Sequence, residues 1–133
     1  MQTLPKIKVC GLTREEDVKL TLSLGADYFG FILYPQSPRV VSLDRAIELA
    51  DAVPVGQRVA VNVATSSKEL KSYRDAGFDY FQIHFGADFE HSNLAEYSKI
   101  VGKDMLWLAP RLAYEDTFPE NILDYADTIL IDT

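Results

Sequence analysis

Two residues that can transfer protons stand at the ends of short apolar runs of this chain. Cys10 closes the run Ile7–Cys10, and Asp132 closes the run Thr128–Asp132. If both runs are strands of one parallel barrel, the two side chains face the same mouth of that barrel. A thiol and a carboxyl group that face each other across such a mouth could serve as the base and the acid of a proton-transfer reaction.

Each of these two residues also has a simpler interpretation. A free cysteine at the end of a strand is often a small buried hydrophobic residue. To act as a base, Cys10 would need its thiolate form, which a nearby cation or a helix dipole favours. Lys8 shares the strand face of Cys10 but lies about one side-chain layer deeper. Asp132 could equally cap the loop that follows it, whereas a general acid would require a desolvated carboxyl group.

Three further side chains could bind an anionic substrate at the same end of the predicted strands. Arg39 lies in the loop after the second run, where two prolines stiffen the chain, and its guanidinium could bind a carboxylate in bidentate fashion. His84 ends the fourth run, and Arg111 follows the fifth. Each residue also has an interpretation without a ligand. Arg39 could be an ordinary surface residue, His84 could be hydrogen-bonded in the core or a loop, and Arg111 could only cover the rim.

Short apolar runs alternate with amphipathic stretches along the whole chain. The predicted strands are Ile7–Cys10, Tyr28–Leu33, Val59–Val63, Tyr80–His84, Met105–Ala109 and Thr128–Asp132. Continuous apolar runs of this length are typical of parallel strands that are buried on both faces. The predicted helices are Arg14–Leu24, Leu43–Ala52, Lys68–Ala76, Asn93–Val101 and Glu120–Tyr125. Their predicted N-terminal caps include the pairs Thr13 with Glu16 and Ser66 with Glu69, and the single residue Ser42.

This strict alternation predicts an α/β fold with a parallel sheet. An aspartate recurs where a helix gives way to a strand, at Asp27, Asp79 and Asp127, which indicates repeated βα units. An open doubly wound sheet would usually carry a glycine-rich site after its first strand, and none is present there. We therefore predict a (β/α)8 TIM barrel, incomplete with six parallel strands and five helices, as a single partial barrel domain over residues 1–133.

Composition narrows the classes of function. The chain has 133 residues, and its 47% of hydrophobic residues argues against a disordered protein. Its net charge of -7 argues against a nucleic-acid-binding surface. One cysteine and two histidines exclude an internal disulfide and leave little for a metal site, so we predict no metal. No run has the length of a signal peptide core or a membrane span, and we predict a cytoplasmic protein without membrane contact.

Five segments of the chain carry a resemblance to a known family. They are Lys8–Thr13, Gly25–Ile32, Ser37–Ser42, Phe81–His84 and Leu130–Thr133. In this order and over nearly the whole chain, the sequence resembles the phosphoribosylanthranilate isomerases, (β/α)8-barrel enzymes of tryptophan biosynthesis.

The resemblance implies an Amadori rearrangement of a small phosphosugar-anthranilate substrate, without a cofactor. An aminoaldose, N-(5'-phosphoribosyl)anthranilate, would become the aminoketose 1-(2-carboxyphenylamino)-1-deoxyribulose 5-phosphate. The family's base corresponds to Cys10, which would take the proton from the sugar C2′. The family's acid corresponds to Asp132, which would protonate the ring oxygen, and its loop arginine corresponds to Arg39, expected near the anthranilate carboxylate.

The sequence departs from the family pattern in three places. The third strand reads Val59–Ala64 where the family usually has Val-Gly-Val-Phe-Val-Asn, and Phe85 separates His84 from the glycine that usually follows it. The family continues beyond the Asp-Thr pair into a glycine-rich loop and two further βα units that hold the phosphate. We therefore expect little or no activity from residues 1–133 alone. The alternatives are a non-catalytic barrel fragment that self-associates through open edges, and a related phosphosugar isomerase for which Arg39 would be dispensable.

Overall fold

Six parallel strands and the helices between them make up the computed structural model, which describes residues 3–131. The strands are β1 (Lys8–Cys10), β2 (Tyr28–Ile32), β3 (Arg58–Val63), β4 (Tyr80–Phe85), β5 (Leu106–Pro110) and β6 (Thr128–Ile129). The α-helices are α1 (Glu15–Ser23), α2 (Leu43–Ala50), α3 (Ser67–Asp75) and α4 (His91–Val101). None of the described helices is long and apolar enough to cross a membrane.

The strands lie side by side in the order of the chain, from β1 to β6, and every neighbouring pair is parallel. A doubly wound sheet would instead reverse its strand order at a switch point, so the sequence alternative of an open doubly wound sheet is wrong. The predicted barrel-type α/β architecture is confirmed for the described part of the chain. Because all strands run the same way, their carboxyl ends meet at one edge, where barrel enzymes place their active sites.

The two faces of the sheet bury different sets of side chains, because successive residues of a strand point to opposite sides. On one face, Ile32, Val59, Val61 and Trp107 pack together, with Cys10 at their border. The other face joins strand residues to the helices in a larger cluster: Phe29, Phe31, Phe81, Ile83, Leu106 and Leu108 with Val18, Leu49, Leu70 and Leu94. The first set is therefore the inner face of the barrel wall.

The predicted short fifth helix is confirmed in its place, and it is a 3₁₀ helix. It covers residues Glu120–Asp124, so the described chain has four α-helices and one 3₁₀ helix. The backbone N–H of Ile122 donates to the carbonyl of Pro119 at 3.0 Å, and that of Tyr125 donates to Ile122 at 3.0 Å. With only five residues between a proline and the turn into β6, the segment has too few residues for the longer-range bonds of an α-helix to propagate.

The predicted caps of the second and third helices are confirmed. The hydroxyl of Ser42 accepts a hydrogen bond from the backbone N–H of Arg45 at 3.1 Å. The hydroxyl of Ser66 accepts from the backbone N–H of Glu69 at 3.2 Å, and the Glu69 carboxylate accepts from the backbone N–H of Ser66 at 2.8 Å. These bonds satisfy N–H groups that have no partner inside a helix.

The predicted cap of the first helix is wrong. Helix α1 begins at Glu15, its N-cap is Arg14, and no side chain caps it there. The guanidinium of Arg14 binds the carboxylate of Asp17 at 2.8 Å, so a salt bridge on the helix surface takes the place of the expected box between Thr13 and Glu16. The acidic first turn still suits the positive end of the helix dipole.

Two of the three recurring aspartates at the helix–strand joints hold neighbouring strands in place. The Asp27 carboxylate accepts a hydrogen bond from the backbone N–H of Ile7 at 2.8 Å, just before β1. The Asp79 carboxylate accepts from the backbone N–H groups of Gly56 at 2.8 Å and Arg58 at 3.0 Å, at the start of β3. Both carboxylates thus satisfy donors at the start of the adjacent strand.

We expect the protein to lose stability in alkaline solution because of two buried tyrosines. Burial raises the pKa of Tyr73 and of Tyr97 to about 12. Unfolded tyrosines ionise near about pH 10, so between about pH 10 and 12 the unfolded state binds fewer protons and stability falls as pH rises. The slope for each tyrosine is about 1.4 kcal/mol per pH unit. Urea unfolding measured across this range tests the expectation.

Lysines also titrate between about pH 10 and 12 and contribute to the pH dependence of stability. The variant Tyr73→Phe separates the contribution of the Tyr73 hydroxyl from theirs. It removes one ionising group together with the hydrogen bond that Asn62 donates to Tyr73 at 2.7 Å. We expect a lower stability at neutral pH and a shallower alkaline slope. A slope identical to that of the unsubstituted protein would contradict the prediction.

Candidate active site

Four of the five predicted site residues lie at the carboxyl edge of the sheet. Cys10 is the last residue of β1, His84 is near the end of β4, Arg111 follows β5, and Arg39 lies in the loop after β2. Asp132 lies outside the described residues, so its place at the mouth remains a prediction. The four residues form two groups, one at β1 and β2 and the other at β4 and β5.

The Cys10 thiol lies on the inner face of the wall, where a glycine on the neighbouring strand leaves room for it. Cys10 is the partner of Gly30 in the register of β1 and β2. A Cβ atom built on Gly30 would lie 3.0 Å from the Cys10 Sγ and 3.2 Å from the Lys8 Cε. Both side chains therefore occupy the space that a larger residue at position 30 would take. Cys10 is only half-buried, so the thiol is within reach of a small molecule.

Two consecutive turns bring Arg39 back from the end of β2 toward β1. The backbone N–H of Ser37 donates to the carbonyl of Tyr34 at 3.1 Å, and that of Val40 donates to Ser37 at 3.2 Å. Pro35 and Pro38 occupy the second positions of these turns, where their fixed φ angle is favoured. The stiffness that the two prolines predict is therefore built into the turns that position Arg39.

The Arg39 guanidinium lies directly over the backbone that follows Cys10. Its Nη1 donates a hydrogen bond to the carbonyl of Cys10 at 3.1 Å. A Cβ atom on Gly11 would lie 2.3 Å from Nη1, so the absence of a side chain at position 11 permits this approach. Gly11 also has a φ of 80°, which non-glycine residues rarely adopt. Arg39 keeps further N–H donors that this bond does not use.

The second group of site residues lines a cavity of about 320 Å³ at the ends of β3, β4 and β5. Its walls are Tyr34, Gln36, Val63, His84, Phe85, Gly86 and Arg111. The backbone N–H of Arg111 donates to the carbonyl of Phe85 at 2.8 Å, which continues the β4–β5 pairing to the rim. The loop after β2 thus links both groups, because its first residues enter the cavity and its last reach Cys10.

A buried glutamine supports the ring of His84. Gln82 is only 4% exposed, and its Nε2 lies 2.8 Å from the Nε2 of His84. Both side chains point to the inner face, since they are two residues apart on β4. The Gln82 Oε1 is buried and has no hydrogen-bond partner among residues 3–131. The His84 ring is thus in contact with a buried side chain, as the core interpretation predicts, and it also lines the cavity.

Sequence reasoning missed Tyr34, Gln36 and Gln82 as members of this site. For Gln82, the signal was its polar side chain two residues before His84 in an apolar run. For Tyr34 and Gln36, the sequence carried no signal beyond their place in a loop after a strand. Their contribution depends on how the loop folds back over the sheet edge.

The site concentrates positive charge in an acidic protein. Arg39 and Arg111 are both exposed at the carboxyl edge, whereas the whole chain has a net charge of -7. Two guanidinium groups at one edge favour an anionic ligand and offer it bidentate hydrogen bonds. Within residues 3–131, no three His, Cys, Asp or Glu side chains come together in a way that could hold a metal ion.

Comparison with known proteins identifies the family. The model of the family described as N-(5'phosphoribosyl)anthranilate (PRA) isomerase matches residues 7–125. This chain belongs to that family. A PRA isomerase of Cereibacter sphaeroides is 38% identical over 132 residues, which cover 96% of this chain and 60% of the relative. The PRA isomerase of Aquifex aeolicus is 36% identical over 98 residues, covering 72% of this chain and 48% of the relative.

Solved PRA isomerases share the fold. One structure from Thermotoga maritima has a TM-score of 0.77 at 27% identity and covers 95% of this chain and 63% of its own. A second PRA isomerase, in complex with reduced 1-(o-carboxyphenylamino)-1-deoxyribulose 5-phosphate, has a TM-score of 0.77 at 26% identity, covering 97% and 65%. The chain spans about half the length of the curated PRA isomerases it matches. The predicted resemblance to the PRA isomerase family is thus confirmed.

Proposed function

We propose that the protein isomerises N-(5'-phosphoribosyl)anthranilate to 1-(2-carboxyphenylamino)-1-deoxyribulose 5-phosphate, a step of tryptophan biosynthesis. The observation that carries this proposal is the approach of Arg39 to Cys10, at 3.1 Å between Nη1 and the Cys10 carbonyl. It places a carboxylate-binding cation against the backbone of the residue that carries the thiol at the end of β1. Membership of the PRA isomerase family supports the choice of substrate.

The roles follow from what each side chain can do. We propose Cys10 as the general base, Asp132 as the general acid, and Arg39 as the group that binds the anthranilate carboxylate. His84 and Arg111 are proposed as substrate-binding residues, because they line the neighbouring cavity. Arg111 offers a second guanidinium for the remaining negative charge of the substrate.

The proton movements balance without a cofactor. The acid gives its proton to the furanose ring oxygen as the bond from that oxygen to C1′ breaks, and the nitrogen lone pair forms the C1′=N bond. The thiolate takes the C2′ proton, and the electrons of that C–H bond form C1′=C2′ while the C=N electrons return to nitrogen. The enol then becomes the C2′ ketone as a proton moves from its hydroxyl to C1′. The thiol loses its proton to solvent and the carboxylate regains one from solvent, which restores the starting state of both groups. One group must begin deprotonated and the other protonated, which requires different environments for the two.

We expect the position of Arg39 to control ligand affinity. The test ligand is reduced 1-(o-carboxyphenylamino)-1-deoxyribulose 5-phosphate, titrated calorimetrically into the protein and its variants. Arg39→Gln should weaken binding by about 10- to 100-fold, since a hydrogen bond to a charged group contributes about 1.5–3 kcal/mol. Gly11→Ala should also weaken binding, because the new Cβ would lie 2.3 Å from the Arg39 Nη1 and displace it.

The matched control for this experiment is Gly25→Ala. Gly25 has a φ of 79° against 80° for Gly11, but nothing lies within 4 Å of its Cβ position. Both substitutions strain the backbone, and only Gly11→Ala displaces Arg39, so Gly25→Ala should leave affinity unchanged. Equal affinity in Arg39→Gln and the unsubstituted protein would favour a phosphosugar substrate without the anthranilate acid. No binding by any of them would favour the non-catalytic fragment.

A further inference from the structure

The Lys8 side chain extends to the level of the Cys10 thiol, into the space that a glycine of β2 leaves open. Gly30 is the register partner of Cys10, and a Cβ atom built on it would lie 3.0 Å from the Cys10 Sγ and 3.2 Å from the Lys8 Cε. Lys8 begins two residues deeper on the same strand face. Its long stem crosses that layer, and its ammonium group, one bond beyond Cε, therefore lies in the neighbourhood of the thiol.

Within residues 3–131, the other groups that face Cys10 leave this positive charge uncompensated. β2, the strand that pairs with β1, has no acidic residue, and the loop after it adds a second cation, Arg39, at the Cys10 carbonyl. The acidic first turn of α1 belongs to a helix on the outer face. The titratable members of the inner-face cluster that Cys10 borders are tyrosines, which ordinarily carry no charge near neutral pH: Tyr28, Tyr34 and Tyr80. No described carboxylate forms an ion pair with Lys8, and Asp132 lies outside the described range.

A cation beside a thiol favours the thiolate, which is the form of cysteine that can take a proton. Lys8 and Cys10 are both half-buried, so solvent screens their interaction less than it would screen two exposed charges. We propose that Lys8 is a positioning residue that stabilises the Cys10 thiolate through its charge, without contact with a substrate. The consequence for catalysis rests on the proposed isomerase function, in which Cys10 is the base. The ionisation of the thiol does not depend on that function.

The pH dependence of alkylation tests the proposal without substrate. Because Cys10 is the single cysteine of the chain, the loss of free thiol to iodoacetamide reports on this residue alone. The quantity compared is the pH at half-maximal rate, since the maximal rate also depends on the nucleophilicity of the thiolate. Lys8→Met keeps a long apolar stem but removes the charge, so this midpoint should rise by about one pH unit. Lys8→Arg keeps the charge, and its midpoint should stay close to that of the unsubstituted protein.

Lys6→Met is the matched control, because it removes the same charge from a more distant place. Lys6 is exposed, its Nζ donates to the Tyr28 hydroxyl at 3.4 Å, and four residues of extended chain place it about 13 Å from Cys10. Its midpoint should not change.

Two results would overturn the proposal. One is an unshifted midpoint in a Lys8→Met variant whose circular dichroism shows it to be folded, and the other is an equal shift in Lys6→Met, which would reflect net charge alone. Lys8→Gln replaces Lys8→Met if that variant does not fold. Because no turnover is measured, failure here leaves the proposed reaction untouched, and failure of the ligand titration leaves this inference untouched.

Discussion

Cys10→Ala is expected to lower the rate of N-(5'-phosphoribosyl)anthranilate conversion by about 10²–10⁴-fold, the usual contribution of a positioned general base. The thiol lies at the end of β1 on the inner face, and the carbonyl of the same residue accepts a hydrogen bond from the Arg39 guanidinium, which is proposed to bind the substrate carboxylate. Alanine keeps the strand but removes the proton acceptor. The rate is followed at high protein concentration against a blank without protein.

Two comparisons separate the loss of the base from a loss of structure. Cys10→Ser keeps the size of the side chain but replaces the thiol by a far weaker acid, so it should also be inactive at neutral pH. The chain has a single cysteine, so alkylation by iodoacetamide modifies Cys10 alone and should remove activity in proportion to labelling. Unchanged turnover in a folded Cys10→Ala would exclude the proposed role of the thiol.

Phe31→Ala is expected to cost about 3–5 kcal/mol of the free energy of unfolding. Phe31 is fully buried on the outer face of β2, and its ring centroid lies 6.3 Å from that of Phe78 in an edge-to-face contact. Domains of this kind are stable by about 5–15 kcal/mol, so this one side chain accounts for a large fraction of that stability. Urea unfolding followed by circular dichroism measures the difference.

Tyr114→Ala is the matched control for the loss of an aromatic ring. Tyr114 is fully exposed, with a relative accessibility of 103%, and its replacement should change stability by no more than about 0.5 kcal/mol. If the two variants lost similar stability, burial on the outer face of β2 would not be the source of the effect. Since β2 leads directly into the loop that carries Arg39, a destabilised Phe31→Ala should also bind the product analogue less well.

The pattern of apolar runs was sufficient to predict the wall of the barrel. All six strands lie where the sequence predicts them, within one residue at most boundaries, and their strictly alternating helices favoured parallel pairing. A run that is apolar at nearly every position is typical of a strand covered on both faces, so each strand could be recognised from its own few residues. The caps at Ser42 and Ser66 were predictable for the same reason, because a helix start depends on a few adjacent residues.

Two helices differ in detail from what the sequence patterns indicate. A box between Thr13 and Glu16 fits the sequence, but the helix begins two residues later than Thr13, and Arg14 pairs with Asp17. The segment Glu120–Asp124 has helical composition, but its length between Pro119 and β6 permits only a 3₁₀ turn. At the start of α1 and in the segment Glu120–Asp124, the residues that join the helix to its neighbours set where the helix begins or which type of helix forms.

Strand direction and periodicity can be read from the order of residues along the chain, so the sequence was enough to predict which residues stand at the carboxyl ends of the strands. Which of these residues meet one another depends on how the chain folds. Two turns and the bare backbone of Gly11 bring Arg39 onto the carbonyl of Cys10, although the two residues are 29 positions apart in the chain. The same loop brings Tyr34 and Gln36 to the cavity of His84 and Arg111. Distances between residues far apart in the chain depend on packing across strands, which a pattern along one strand cannot encode.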